Sequence, residues 1–432
     1  MKIAILGYGL QGKSSFEYWH KGNEVTICDQ NKIDNAPFNA KLKTGENYLR
    51  DLAEFDLIVR SPSIYPKDIV SSNDESILDK VTTNTNEFFK VCPSKNIIGV
   101  TGTKGKGTTS TLITKMLEAD GKTVHLGGNI GTPPLEMLEA GINENDYVVL
   151  ELANFQLIDI KYSPHIAVCL MVVPEHQDWH EDMEEYVTAK KQLFINQTPS
   201  DIAIYYSENE ISKDIASSGS AIKIPYFKDP GANIENEVIE INGQRICRTD
   251  EVKLLGRHNL QNVCAAITTA WQIDKNISPL KDVVVSFAGL EHRLELVREL
   301  NGVKYYDDSF ATTPESAIVA IEAFKDPKVI ILGGSDKGAE YIKLAKTVAG
   351  GNVKHAVLIG DTAKSIEQAL KNEGFSDYSF GSKDINEIVE LCKEKSSPGD
   401  VVLLSTGCAS FGIFKDYKDR GDKFSLAVQS LS

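Results

Sequence analysis

The stretch Ile97–Ser110, IIGVTGTKGKGTTS, decides how this chain is read. Its opening residues, Ile97–Val100, are apolar and read as a buried strand. A glycine-rich loop carrying Lys106 follows. A helical pattern then places Leu112, Ile113, Met116 and Leu117 on one face and stops at Gly121. Strand, glycine loop, lysine and helix is the order a phosphate site needs. Glycines let backbone N–H groups close around an anion, and the lysine brings a point charge to the β- and γ-phosphates. Gly102, Thr103, Lys104, Gly105, Lys106, Gly107, Thr108 and Thr109 are therefore the candidate nucleotide-binding residues. The spacing is GxxGK rather than GxxxxGK. Gly107 stands where a phosphate loop usually has the Ser or Thr that reaches magnesium, so Thr108, the next hydroxyl, could serve the magnesium or a phosphate instead.

Outward from this stretch the pattern stays α/β. Tyr147–Leu152 and Ile166–Val173 are apolar enough to be central strands, and Asp182–Ile195 and Gly256–Ile273 read as helices. Residues 201–250 are polar and strand-like, without a legible order. Glu151 ends the apolar run YVVLEL, where a carboxylate is costly to bury unless it is paired or bound to metal. His176, in PEHQDWH, follows the next strand. Carboxylate and imidazole near a phosphate loop suggest magnesium coordination, and on spacing alone a structural pair is an equal reading. His180 reads as a supporting or structural residue.

Before this region, Lys2–Gly7, Leu10–His20 and Glu24–Asp29 form a strand–helix–strand unit, with a further strand at Phe55–Val59. Gly7-Tyr-Gly-Leu-Gln-Gly12 matches GxGxxG, and Asp29 closes the next strand. Read alone this says a dinucleotide such as NAD, or a plain tight turn. After Glu299, strands at Val303–Tyr306, Lys328–Leu332, His355–Ile359 and Asp400–Ser405 alternate with helices, a second doubly wound pattern. A boundary is placed near Cys92-Pro-Ser-Lys95. The chain has 432 residues, too many for one core. Its charge of −15 argues against a broad nucleic-acid footprint. Seven scattered cysteines with no CxxC pair, and an N-terminus too short for a signal or a span, give a cytoplasmic expectation.

Taken in order, GYGLQG, VTGTKGKGTT, GGNIGTP, VLELANFQL, PEHQDWH, VTAKKQLF, GRHNLQNVCAA, GLEHRLELV, DDSFATTP, LGGSDKG and STGCASFGIFKDYKDRG resemble the Mur ligase family across essentially the whole chain. The last four point to its glutamate-adding branch. The resemblance implies an α/β protein of three domains: a Rossmann-like UDP-binding domain (1–93), a central P-loop-type ATP-binding domain (94–297) and a Rossmann-like amino-acid-binding domain (298–432). It implies ATP and Mg²⁺, with UDP-N-acetylmuramoyl-L-alanine and D-glutamate as substrates joined through an acyl phosphate. No nucleic acid, no membrane and a monomeric state are expected.

The resemblance also implies roles. Leu10, Gln11 and Asp29, with the Ser61–Ile64 turn, lie by the UDP, and Asn129 contacts the muramoyl substrate. Lys106 serves the phosphates. Glu151, His176 and Thr108 hold metal together with Lys190, which is carbamylated in the family; Lys191 is its one-residue alternative. Lys106, His176 and Lys190 are the expected catalytic group. Asn262 meets adenine, Arg293 a phosphate and Asp308 the nucleotide. Thr312, Lys337, Ser410 and Tyr417 hold the incoming amino acid. The chain departs from the family pattern at Phe310, where lysine is usual, and at Ala153-Asn154, where two serines are common. Trp179 and Gly412 replace a common arginine and aspartate. These departures leave a different acceptor, such as another amino acid or a folate-type substrate, as an alternative, and the GxGxxG match leaves an NAD-dependent oxidoreductase.

Overall fold

The apolar runs pair side by side into parallel sheets, because most are followed by a helix that crosses back over a sheet face. In the computed structural model all residues are described except Asp34, Asn35, Gln177, Asp178, Leu255, Arg257 and Lys337. The first sheet holds β1 (Lys2–Leu6), β2 (Glu24–Asp29), β3 (Lys41–Thr44), β4 (Leu57–Arg60) and β5 (Val81–Thr83). Their order is β3-β2-β1-β4-β5 and all pairs are parallel. Strand alternation divides β1 cleanly: Ile3 and Ile5 join one apolar cluster, Ala4 and Leu6 another.

The second sheet holds β6 (Ile97–Thr101), β7 (Val124–Gly128), β8 (Tyr147–Glu151), β9 (Ile166–Cys169), β10 (Ile202–Tyr206) and β11 (Ile222–Tyr226). It is parallel in the order β11-β10-β9-β6-β8-β7, with the strand that feeds the glycine loop in the middle. The stretch that sequence could not order contains β10 and β11. It ends in a small antiparallel sheet of β12 (Asn233–Glu235), β13 (Val238–Ile241) and β14 (Gln244–Arg248). The first two sheets share apolar packing: Ile5 and Phe16 belong to the same cluster as Val148 and Leu150.

The third sheet holds β15 (Glu295–Leu300), β16 (Val303–Asp307), β17 (Lys328–Gly333), β18 (Val353–Ile359), β19 (Tyr378–Phe380) and β20 (Val401–Leu404), in the order β15-β16-β20-β17-β18-β19. Only β15 runs antiparallel, paired Glu295↔Asp307 with β16.

By contact density the chain forms two compact units, Met1–Val252 with Arg257–Phe287, and Lys253–Gly256 with Ala288–Ser432. The boundary expected at 93/94 lies in the link between the Asn84–Val91 helix and β6. The one expected at 297/298 falls inside β15. That hairpin draws residues ahead of the expected point into the second unit.

Candidate functional site

In a parallel sheet the loops leaving the carboxyl ends of the strands gather at one edge, and ligands bind where the chain order reverses. In the second sheet that edge collects the loops after β6, β7, β8 and β9. The loop after β6 turns at Gly102 (φ +145°) and Gly105 (φ +89°) into the Lys106–Ala119 helix. Neither glycine tolerates a side chain. A Cβ at Gly102 would stand 2.6 Å from Leu170 Cβ, and one at Gly105 would stand 2.1 Å from Asn262 Oδ1. That helix has no side-chain cap and no acidic residue in its first turn, so its leading N–H groups and dipole favour an anion. Lys106 Nζ donates to Gly102 O at 3.2 Å and Thr103 O at 2.9 Å, which holds the ammonium across the loop.

The candidates of this loop divide by role. Thr103 is tied down: its N–H donates to Met171 O, and its hydroxyl bonds Val173 and the Tyr186 hydroxyl at 2.9 Å. These bonds let its side chain shape the loop. Lys104 is exposed at the tip, while Gly107, Thr108 and Thr109 are buried in the first helical turn. The Thr109 hydroxyl is buried without a hydrogen-bond partner.

Glu151 is 6% exposed and lies opposite Val100 in the strand beside β6, just before Gly102. Asn129 clamps it twice: Asn129 N donates to Glu151 O at 2.8 Å, and Asn129 Nδ2 to Oε1 at 2.9 Å. Gly128 permits this, since a Cβ there would stand 2.2 Å from Glu151 O. His176 follows β9 at φ +57° and packs against Phe155, with ring centroids 4.8 Å apart.

Lys190 is fully buried on the Met183–Ile195 helix. Its Nζ donates to Gly102 O at 3.1 Å and lies 4.4 Å from the centre of the Tyr186 ring. Burial, with Lys106 nearby, lowers its pKa to about 7. Lys191 instead points outward to Asp214 at 2.8 Å, so the structure separates the two lysines. Tyr186 escaped the sequence reading; its spacing of four from Lys190, one helical turn, was the available signal.

His180 is buried between Asn154 Nδ2 at 2.7 Å and Glu185 Oε2 at 3.1 Å. Burial depresses its pKa, so it sits as neutral imidazole, accepting from Asn154 and donating to Glu185. Glu185 also accepts from the Tyr65 hydroxyl at 2.5 Å. Trp179 packs edge-on against Phe155 and Tyr65.

In the first sheet Gly7 (φ +82°) and Gly12 make the fingerprint turn, where a Cβ at Gly12 would stand 2.0 Å from Gly7 O. Asp29 accepts from the N–H groups of Tyr8 and Asn31, each at 2.8 Å. Both carboxylate oxygens thus fasten the loop, which weakens the NAD reading, in which that acid binds a ribose. A cleft of roughly 340 Å³ opens here, lined by Tyr8, Gly9, Lys13, Asp29, Lys32 and other loop residues. Leu10 is exposed and Gln11 half-buried at the head of the adjoining helix. Arg60, buried at the end of β4, grips Asp159 through two bonds of 2.7 and 2.6 Å and also donates to Ile64 O and Phe155 O. It fastens the Ser61–Ile64 turn.

Asn262, 7% exposed, completes the first unit's set with its oxygen over Gly105. The second unit holds Arg293, Asp308, Thr312, Ser410 and Tyr417; Lys337 lies outside the described residues. Buried Arg420 links the loops that carry Asp308, Thr312 and Ser410, donating to Ser309 Oγ at 2.8 Å, Ser309 O at 2.7 Å and Cys408 O at 3.1 Å. His292 pairs with Asp307 at 2.8 Å over Gly421, where no Cβ would fit. That bond raises the His292 pKa.

Asp308 is buried, accepts from Ser405 Oγ at 2.6 Å and Leu294 N at 3.2 Å, and has its pKa pushed up to about 7 by burial. Arg293 opposes that rise and Asp307 reinforces it. Between about pH 4 and pH 7 the folded chain keeps a proton that the unfolded chain has lost, so stability falls as pH rises through this window. Asp308→Asn lacks this slope. Its stability relative to the parent protein is expected to grow by roughly 1–3 kcal/mol from pH 4 to pH 8 in urea titrations. A constant difference would contradict the assignment.

A central strand running into a glycine–lysine loop, with a buried acid on the neighbouring strand, defines a phosphate-loop nucleotide-binding protein. Residues 100–270 match the Mur ligase middle domain and residues 292–408 the Mur ligase glutamate ligase domain. The UDP-N-acetylmuramoylalanine–D-glutamate ligase of Clostridium tetani is 37% identical, over 100% of this chain and 97% of that protein. The chain belongs to the Mur ligase family. Among solved structures, a UDP-N-acetylmuramate–alanine ligase of Thermotoga maritima shares the fold at TM-score 0.62 and 17% identity, covering 100% of this chain and 99% of its own. A MurF ligase of the same organism, solved with ADP, shares it at TM-score 0.57 and 17% identity, covering 99% and 95%.

Proposed function

We propose that this protein is an ATP-dependent amide ligase that adds D-glutamate to UDP-N-acetylmuramoyl-L-alanine in peptidoglycan precursor synthesis. The observation that carries the reading is the Lys106 loop set beside buried Glu151, in a chain that matches the Clostridium tetani ligase over its full length. A carboxylate does not accept an amine directly, because its oxide is a poor leaving group. Transfer of the γ-phosphoryl group makes an acyl phosphate; the amino acid nitrogen then attacks its carbonyl carbon and phosphate leaves. Lys106 and the helix N-terminus neutralise charge on the phosphates as they move. Asn129, fixed by Glu151, orients the muramoyl substrate, and Asn262 the adenine. In the second unit Arg293 and Asp308 serve the nucleotide, while Thr312, Lys337, Ser410 and Tyr417 hold the amino acid.

Glu151 fits a divalent cation, being a hard oxygen donor buried at the loop with a side-chain amide as its partner. Thr108, His176 and Lys190 would complete the set, and a bound Mg²⁺ supplies Lewis-acid neutralisation of the phosphoryl charge. An ammonium at Lys190 would oppose a cation. With its pKa near 7, Lys190 offers a free amine that attacks carbon dioxide and gives up a proton, and the carbamate so formed is an oxygen donor. We read residues 1–93, 94–297 and 298–432 as UDP-, ATP- and amino-acid-binding bodies of a cytoplasmic monomer. Among the described residues no helix is long and apolar enough to cross a membrane.

Phosphate release from ATP, with UDP-N-acetylmuramoyl-L-alanine and a panel of D- and L-amino acids, tests this. Release that depends on D-glutamate is expected. Release with a different amino acid would favour the alternative acceptor, and none with any amine would sink the ligase reading.

A further inference from the structure

Phe310 is a large apolar side chain left 41% exposed. Two side chains pack against its ring. The Arg293 guanidinium carbon lies 4.9 Å from the ring centroid. Tyr417 meets the ring edge-on, with centroids 5.3 Å apart and planes at 87°. The backbone holds the group together: Phe310 N donates to His292 O at 2.9 Å, beside Arg293, and the neighbouring Ser309 Oγ donates to Tyr417 O at 2.7 Å. Arg293 is itself exposed, so a long, flexible cation is given one preferred place by an aromatic face.

We propose that Phe310 is a positioning residue: its face seats the Arg293 guanidinium and its ring packs T-shaped with Tyr417, so that one ring sets a nucleotide group and an acceptor group together. This rests on the function proposed above. The ring acts through those two side chains. A cation at this position would do the opposite, because it would repel the guanidinium it is meant to seat.

The test compares KM and kcat for ATP and D-glutamate in the full-length protein and in Phe310→Tyr, Phe310→Ala and Phe310→Lys. Tyrosine keeps the ring and is expected to behave like the parent. Alanine is expected to raise both KM values about two- to fivefold with kcat largely kept. Lysine is expected to raise them further. A merely structural defect would reduce the active fraction, and so kcat, with KM unchanged. Unchanged KM values in Phe310→Ala, or Phe310→Lys outperforming Phe310→Tyr, would overturn the proposal.

If the parent protein shows no glutamate-dependent turnover, the ligase reading fails, and the proposal is decided by NMR of ¹⁵N-arginine-labelled protein. The Arg293 Nε–Hε resonance, assigned by its loss in Arg293→Lys, is expected upfield-shifted by the ring in the parent and in Phe310→Tyr but not in Phe310→Ala. A resonance that does not move with loss of the ring would overturn it.

Discussion

Lys106→Ala is expected to lower glutamate-dependent phosphate release by on the order of a thousandfold, while the unfolding temperature stays close to that of the parent protein. Two facts set this contrast. Nζ reaches carbonyls of its own loop, Gly102 O and Thr103 O, so the ammonium is fixed where the phosphates would pass. The loop keeps other ties without it, since Thr103 is held by Met171, Val173 and Tyr186 and the glycines set the turns. Losing a fixed charge that develops its full effect only in the transition state costs rate more than stability. An alanine variant with near-parental turnover would remove Lys106 from the chemistry.

Arg60→Ala is expected to show the reverse balance, a loss of about 3 kcal/mol in stability. The guanidinium is 1% exposed and makes paired bonds to Asp159 besides its bonds to backbone carbonyls. Its removal leaves Asp159 and those carbonyls short of donors. Asp159 is 24% exposed, and water reaching it keeps the figure at the lower end of the range for broken buried pairs. For a unit of this size that is a fall of roughly 4–6 °C in unfolding temperature, readable by calorimetry. A change within 1 °C (on the order of experimental scatter) would show that the pair contributes nothing net.

Apolar runs made the sheets legible. Val148 to Leu150 and Val329 to Leu332 are fully buried in parallel strands, so their sequence is almost continuously hydrophobic. β3, Lys41–Thr44, escaped because it is an exposed edge whose KLKT sequence looks like loop. β15 escaped because its exposed and half-buried residues alternate in a hairpin, which the expectation of parallel strands hides.

At the site, glycines and Lys106 were readable because each has a local backbone reason. Arg60 with Asp159 and His292 with Asp307 were not. They join residues 99 and 15 positions apart, and nothing in local spacing announces them. The ties of Thr103 were hidden for the same reason, since its hydroxyl bonds Val173 and Tyr186, 70 and 83 positions away.

All seven thiols of the chain are buried, and burial pushes the Cys28 thiol up to about 12. Such groups are poor nucleophiles toward maleimides at neutral pH. The natural chain therefore serves as a quiet background for site-directed labelling. Cysteines introduced at exposed Glu139 and Lys343, one in each compact unit, would take a donor and an acceptor dye. Single-molecule energy transfer could then follow the two units through each ligand addition without first stripping any native sulfur from the protein.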